Sequence, residues 1–139
     1  MALQRTLAMV KPDAVAAGKT GAIIAMMEAA GLKILSLRMT KLSKAQAEAF
    51  YVVHRERGFY GELCDFMSSG PIVALVLEGE DAIATWRNLM GATDSKKAGP
   101  DTVRGRYGTD VALNAVHGSD AAETSTVEIS YFFPAQSLV

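Results

Sequence analysis

Residues 71–79, "PIVALVLEG", constrain the fold more than any other stretch. The run is apolar without a break, rich in β-branched residues, and bounded by Gly70-Pro71 and Gly79, so it reads as a strand held between turns. A strand needs partners. Residues 6–11, "TLAMVK", form a second apolar run that Pro12-Asp13 ends, and in "LKILSLRMTKL" Leu32, Ile34 and Leu37 alternate imperfectly with polar neighbours. "VALNAVHG", residues 111–118, reads as a last strand.

Helical signals lie between these runs. "TGAIIAMMEAAG" has apolar residues at helical spacing and stops at Gly31, a residue suited to the position just past a helix end. Ser43-Lys44-Ala45-Gln46 is a capping-box pattern that opens a helix to roughly His54. "FYGELCDFMSSG" is a short helical piece after a turn at Gly58, and "EDAIATWRNLM" is amphipathic. Ser119-Asp120 offers caps for a closing helix through "AAETSTVEIS". From Gly91 to about Gly108 the chain is polar, Gly/Pro-containing and rich in Lys and Arg; so long a loop is usually functional or disordered. The order predicts an α+β fold with a β-α-β-β-α-β core: a four-stranded, mainly antiparallel sheet with helices on one face. The 139 residues suit one domain, 1–139, with no internal repeat or linker.

Composition narrows the function. Half of the residues are apolar, which is ordinary for a soluble globular chain. The net charge of −1 gives no global field for nucleic acid or anionic lipid, so any anion site must come from a local cluster of Lys and Arg. Cys64 is the one cysteine; it forms no internal disulfide or zinc pair and reads as a small buried hydrophobe in a reducing compartment. Arg5 and Lys11 interrupt the apolar run in "MALQRTLAMVKPD", which reads as neither a signal peptide nor a membrane span. A cytoplasmic soluble protein is expected.

Several kinds of chemistry compete. Gly18-Lys19-Thr20 ends like a P-loop between a strand and a helix, but Asp13 stands where the motif needs its first glycine. The two histidines, His54 and His117, lie far apart and lack a second ligand at metal spacing. His117 in "NAVHGSD" fits either a structural histidine or a nucleophile, since a neutral imidazole is nucleophilic near pH 7 once a partner orients one nitrogen and the other has room. Gly118 would give that room, and Glu128 would need the fold to bring it back to the ring. Lys96, Lys97, Arg104 and Arg106 lie in the long loop, with Arg87 just before it, and such clustering in a chain of net charge −1 suggests a polyanionic ligand. A nucleophilic histidine with an arginine cluster and no carboxylate cage points toward phosphoryl transfer.

These residues resemble the nucleoside diphosphate kinase family. "NAVHGSD" is similar to the family signature Asn-x-x-His-Gly-Ser-Asp, and "QRTLAMVKPDAV", "SGPIVALVLEG", "DTVRGRYG" and "VEISYFF" match further family blocks from about Arg5 to Phe133. The resemblance implies a ferredoxin-like fold and ping-pong transfer of the γ-phosphate of a nucleoside triphosphate to a nucleoside diphosphate. His117 matches the histidine that becomes phosphorylated, Glu128 the carboxylate that orients it, and Tyr51 and Ser119 its hydrogen-bonding supports. Lys11, Arg87, Thr93 and Arg104 match residues at the phosphates or ribose, His54 a further phosphate contact, and Asn114 a sugar contact. Phe59 matches the aromatic that stacks on the base, with Val111 opposite and Leu63 nearby; stacking implies broad base use. The resemblance also implies Mg2+ carried on the nucleotide phosphates rather than held by protein ligands. It implies a homo-oligomer, tetramer or hexamer, built from dimers; the net charge and short apolar runs argue against a membrane or nucleic-acid partner. Departures from the family pattern are Gly58 for a usual Pro, Arg106 for an acidic residue, Asp94-Ser95 for Asn-Pro, Asp101 after Pro100 in place of Gly, and an end soon after Phe133-Pro134. A nucleotide-binding regulatory module without turnover is the alternative function.

Overall fold

The computed structural model describes residues 3–138. Four strands, β1 (Leu3–Val10), β2 (Lys33–Thr40), β3 (Ile72–Glu80) and β4 (Val116–Gly118), form one sheet in the order β2-β3-β1-β4. Every neighbouring pair is antiparallel, with Leu7 opposite Val76 and Met9 opposite His117. The expected four-stranded α+β sheet is present, and its order is ferredoxin-like.

The helices are α1 (Pro12–Ala16), α2 (Thr20–Ala29), α3 (Lys44–Phe50), α4 (Tyr60–Met67), α5 (Ala82–Met90), α6 (Val103–Tyr107) and α7 (Ala122–Phe132). They cover both faces of the sheet rather than one. Val73, Leu75 and Leu77 of β3 pack with Ile23 and Met27 of α2 and Trp86 of α5. The alternate residues Ile72, Ala74 and Val76 pack with Ala47 of α3, Cys64 and Met67 of α4, and Phe132 of α7. This is why "PIVALVLEG" lacks a polar alternation: a central strand buried on both faces must be apolar at every position. Cys64 lies in that second core, as a buried hydrophobe should.

Three local expectations need correction. The last strand spans only Val116–Gly118, because Asp110 accepts the N–H groups of Ala112 and Leu113 at 2.9 and 2.8 Å and turns the chain there. Ala115, at φ 71, then breaks the extended backbone just before β4. The stretch from Gly91 to Gly108 is folded: Asp94 caps a 3-10 turn at Ser95–Lys97, and Thr102 caps α6 by accepting Gly105 N–H at 3.1 Å. Ser119-Asp120 does not cap the closing helix; Thr124 Oγ1 accepts Ala121 N–H at 2.9 Å instead. By contrast, the box at Ser43 and Gln46 caps α3 as its sequence predicts, and the helical path continues as a 3-10 turn to His54.

β4 is an edge strand, and α5 holds it in place. Trp86 is fully buried and its Nε1 donates to the His117 carbonyl at 3.1 Å. Gly118 lies so close to α5 that an added Cβ would sit 2.6 Å from Met90 Cε and 2.6 Å from Trp86 Cδ1. The missing side chain therefore serves packing against α5. Gly118→Ala should lower the unfolding free energy by about 1–3 kcal/mol through overpacking. Urea denaturation followed by the fluorescence of Trp86, the single tryptophan, checks this; an unchanged midpoint would contradict the packing.

Candidate active site

His117 sits on the edge strand with its side chain 19% exposed. Its Nε2 lies 3.0 Å from Glu128 Oε1, and Ser119 Oγ donates to that same oxygen at 2.8 Å. Glu128 reaches the ring because α7 lies on the sheet: Ser125 Oγ, one turn earlier on α7, donates to the Arg5 carbonyl of β1 at 2.6 Å. Burial pushes the Glu128 carboxyl up, but hydrogen bonds from His117 and Ser119, with the nearby imidazole charges, outweigh it and hold the carboxyl below its usual range. An ionised carboxylate only accepts. In the neutral ring Nε2 must then carry the hydrogen, which leaves the Nδ1 lone pair free. The ring is boxed edge-on by Phe50 at 5.7 Å and Tyr51 at 6.1 Å between centroids.

Tyr51 was expected to hydrogen-bond the histidine, and in this structure it packs beside it. The phenol is buried and its hydroxyl has no partner among the described residues. Burial, and then the charge of Glu128, push its pKa up, so it remains an unspent O–H donor. His54 stacks on Tyr51 at 6.5 Å, and its Nδ1 is also buried and unpaired.

Beyond the ring, positive charge is buried. Lys11 Nζ donates to Asn114 Oδ1 at 2.8 Å, and Asn114 Nδ2 donates to the Thr93 carbonyl at 3.1 Å. Burial, then the charge of Arg104, lower the Lys11 pKa to about 8, with Asp13 opposing. Arg104 is buried too and donates to the carbonyls of Gly91 and Val116, both at 3.0 Å, while its Nε has no partner among the described residues. Two neighbouring cations held out of water by neutral partners form a site short of negative charge.

A cleft of about 820 Å³ joins these groups. Its inner wall carries His117, Lys11, Asn114, Tyr51 and Arg104. Arg87, His54 and Thr93 stand further along it, Arg87 donating to the Asp120 carbonyl at 2.7 Å. Phe59 and Val111, both largely exposed, line it with Leu63 as an apolar patch that suits a flat ring. Ser119 and Glu128 stand behind the imidazole, outside the lining. Of the basic loop residues only Arg104 lines the cleft; Lys96 and Lys97 are exposed elsewhere, and Arg106 pairs with Asp101 at 3.5 Å. Lys19 lies 5.9 Å over the Tyr107 ring, outside the cleft, so the P-loop reading has no support. Sequence reasoning missed Asp120, which holds Arg87, and Asp13, which accepts Ala115 N–H at 3.1 Å. In the sequence Asp13 reads as part of a strand-ending turn, as the residue that breaks the P-loop pattern and as a member of a family block, with no role at the site, since a buried acceptor for a backbone group leaves no pattern in one sequence.

The family model "Nucleoside diphosphate kinase" matches residues 4–138. A nucleoside diphosphate kinase of Desulfovibrio desulfuricans is 59% identical over 131 residues, covering 94% of each chain. Among solved structures, the Aquifex aeolicus nucleoside diphosphate kinase aligns with a TM-score of 0.97 at 45% identity, covering 99% of this chain and 100% of its own. The Halobacterium salinarum nucleoside diphosphate kinase, solved with CDP, aligns at 0.94 and 40% identity, covering 98% and 91%.

Lys11 titrates near 8 in the fold but near 10.4 in an unfolded chain, so the folded state releases its proton first. Stability contributed by this group should rise with pH between those values, and at neutral pH its buried charge costs on the order of 3 kcal/mol. Lys11→Met should therefore raise the thermal midpoint at pH 7 in chloride buffer. Tripolyphosphate binding near pH 8.5 should take up more protons in the wild type than in the variant. Calorimetry in two buffers of different ionisation enthalpy measures this, and equal uptake by both proteins would contradict the assignment.

Proposed function

The chain belongs to the nucleoside diphosphate kinase family, a family of enzymes that move the terminal phosphate of a nucleoside triphosphate to a nucleoside diphosphate, and on that premise we propose that His117 Nδ1 carries the phosphoryl group. The observation that carries this reading is the Glu128–Nε2 contact, which leaves Nδ1 as the free nitrogen of a ring that lines a cationic cleft.

In the first half-reaction the Nδ1 lone pair forms a bond to the γ-phosphorus. The bond from that phosphorus to the β,γ-bridging oxygen breaks, and the nucleoside diphosphate leaves with the electron pair. In the second, a terminal β-phosphate oxygen of another nucleoside diphosphate bonds to the phosphohistidine phosphorus, the Nδ1–P bond breaks with its electron pair returning to Nδ1, and the ring returns to neutrality. One cleft serves both nucleotides, so the kinetics are ping-pong. The Glu128 carboxylate stabilises the charge the ring gains, and Ser119 holds that carboxylate. Lys11, Arg87 and Arg104 neutralise the phosphates, and His54, Thr93 and the unspent Tyr51 hydroxyl offer further donors along the cleft. Asn114 sets the Lys11 amine and stands next to the sugar.

The base stacks on Phe59, with Leu63 and Val111 around it. This contact reads no hydrogen-bond pattern and admits purines and pyrimidines alike; the CDP held by the Halobacterium salinarum relative supports that reading. The cleft's cationic and amide donors suit phosphate oxygens and repel a metal ion, so the divalent cation, which we take to be Mg2+, rides on the nucleotide. Bound there, it would neutralise phosphate charge and fix the polyphosphate geometry.

The reading extends to assembly and location. The unit is the whole chain, 1–139. Edge strand β2 exposes Leu37 and Met39 at 52% and 61%, a face suited to pairing in a homodimer from which a tetramer or hexamer is built. No helix among the described residues is long and apolar enough to cross a membrane. With its lone thiol buried, the enzyme suits the cytoplasm, where its nucleotide substrates are.

Incubation with γ-labelled ATP should leave an acid-labile, alkali-stable phosphate on the protein, removable by any nucleoside diphosphate and absent from a folded His117→Ala variant. Glu128→Gln should slow labelling about hundredfold or more while KM changes little, because a neutral amide no longer stabilises the charged ring. Retained labelling in His117→Ala would contradict the proposal.

A further inference from the structure

Ala115 adopts φ 71, and among the described residues only one other non-glycine, Asp81, also has positive φ. Val116 N–H donates to the Asn114 carbonyl at 2.8 Å across it, so residues 114–116 form a γ-turn of the rare positive-φ hand. An alanine there costs about 1–3 kcal/mol and persists only where its surroundings enforce it. The enforcing groups come from one short segment. Ala115 N–H donates to Asp13 Oδ2 at 3.1 Å, and the Ala115 carbonyl accepts Lys11 N–H at 2.8 Å. The methyl group is fully buried in the core.

What flanks the turn gives the strain its meaning. On one side Asn114 holds the Lys11 amine; on the other, two residues on, is His117. A relaxed φ at residue 115 would swing one against the other. We propose that Asp13 is a positioning residue for phosphoryl transfer: its carboxylate clamps the Ala115 turn and thereby sets where β4 presents His117 relative to Lys11. Asp13 does not line the cleft, so it acts through the turn and not on the nucleotide. Its second oxygen, Oδ1, is buried without a partner among the described residues, so the carboxylate is held in place at a desolvation cost. Opposite charge on Lys11 offsets part of that cost.

The inference rests on His117 being the phosphorylated residue, so the test first maps the phosphate on wild-type protein. The rate of phosphorylation by ATP in a single turnover is then measured for Asp13→Ala, with and without Ala115→Gly. Glycine adopts positive φ without strain and needs no clamp. Asp13→Ala alone should slow the step about tenfold to hundredfold, with nucleotide affinity within about threefold, as expected for loss of a buried hydrogen bond to a charged acceptor. In the Ala115→Gly background the same substitution should cost less than about fivefold. Asp13→Asn, whose amide oxygen still accepts Ala115 N–H, folds with the turn intact and should recover most of the rate. An Asp13→Ala loss that is equal in both backgrounds, or an Asp13→Asn rate as low as that of Asp13→Ala, would overturn the proposal while leaving His117 as the nucleophile. A phosphate mapped to another residue would overturn both readings.

Discussion

The hydrogen bond between His117 Nε2 and Glu128 Oε1 is the contact on which the rest of this site depends. It joins an edge strand of three residues to the last long helix, and neither end would be fixed without the other. Its chemical effect is larger than its energy. A half-buried ionised carboxylate accepts only, so it selects one imidazole tautomer and leaves one nitrogen able to act as a nucleophile. The rest of the local structure holds that strand still. Trp86 takes the His117 carbonyl, Gly118 lets β4 press against α5, and the turn at Ala115 aims the chain into the strand.

The second feature is electrostatic and works against stability. Lys11 and Arg104 are buried near each other, with neutral oxygens as most of their partners and Asp13 as a partial counterweight. Burying charge without full compensation is costly, and a polyphosphate supplies what is missing. The free protein is therefore less stable than an apolar substitute would be, while the charges stand ready before the nucleotide arrives. In phosphoryl transfer, where positioning and charge neutralisation supply most of the acceleration, that exchange favours the reaction.

Much of this was legible in the sequence because it is local. "PIVALVLEG" announced a central strand and Ser43 to Gln46 a capped helix, and the family blocks brought His117, Lys11, Arg87, Arg104, Asn114 and Phe59 to one cleft. The failures are equally specific. The uninterrupted apolar run already carried the sign of burial on both faces, yet helices were expected on one. "VALNAVHG" reads as a strand by composition, but Asp110 turns the chain and Ala115 takes positive φ, neither of which hydrophobicity encodes. Lys96, Lys97 and Arg106 looked like part of an anion site because charge was counted along the chain, while direction is set by the fold. Ser119 and Asp120 have the composition of helix caps, but the Ser119 hydroxyl goes to Glu128, and Asp120 accepts from Arg87 through its backbone carbonyl. Asp13 falls within a family block, yet its role is not legible there because its partner is a backbone N–H a hundred and two residues away.

The tautomer of His117 is the most direct measure of this arrangement. Protein labelled with 15N at the histidine rings, examined by NMR near pH 8 without nucleotide, separates the two nitrogens of each ring, and His117→Asn identifies which signals belong to residue 117. The expected result is a protonated Nε2 and a bare, pyridine-like Nδ1. A hydrogen on Nδ1 with Nε2 bare would contradict the Glu128 arrangement and, with it, the assignment of the nucleophilic nitrogen.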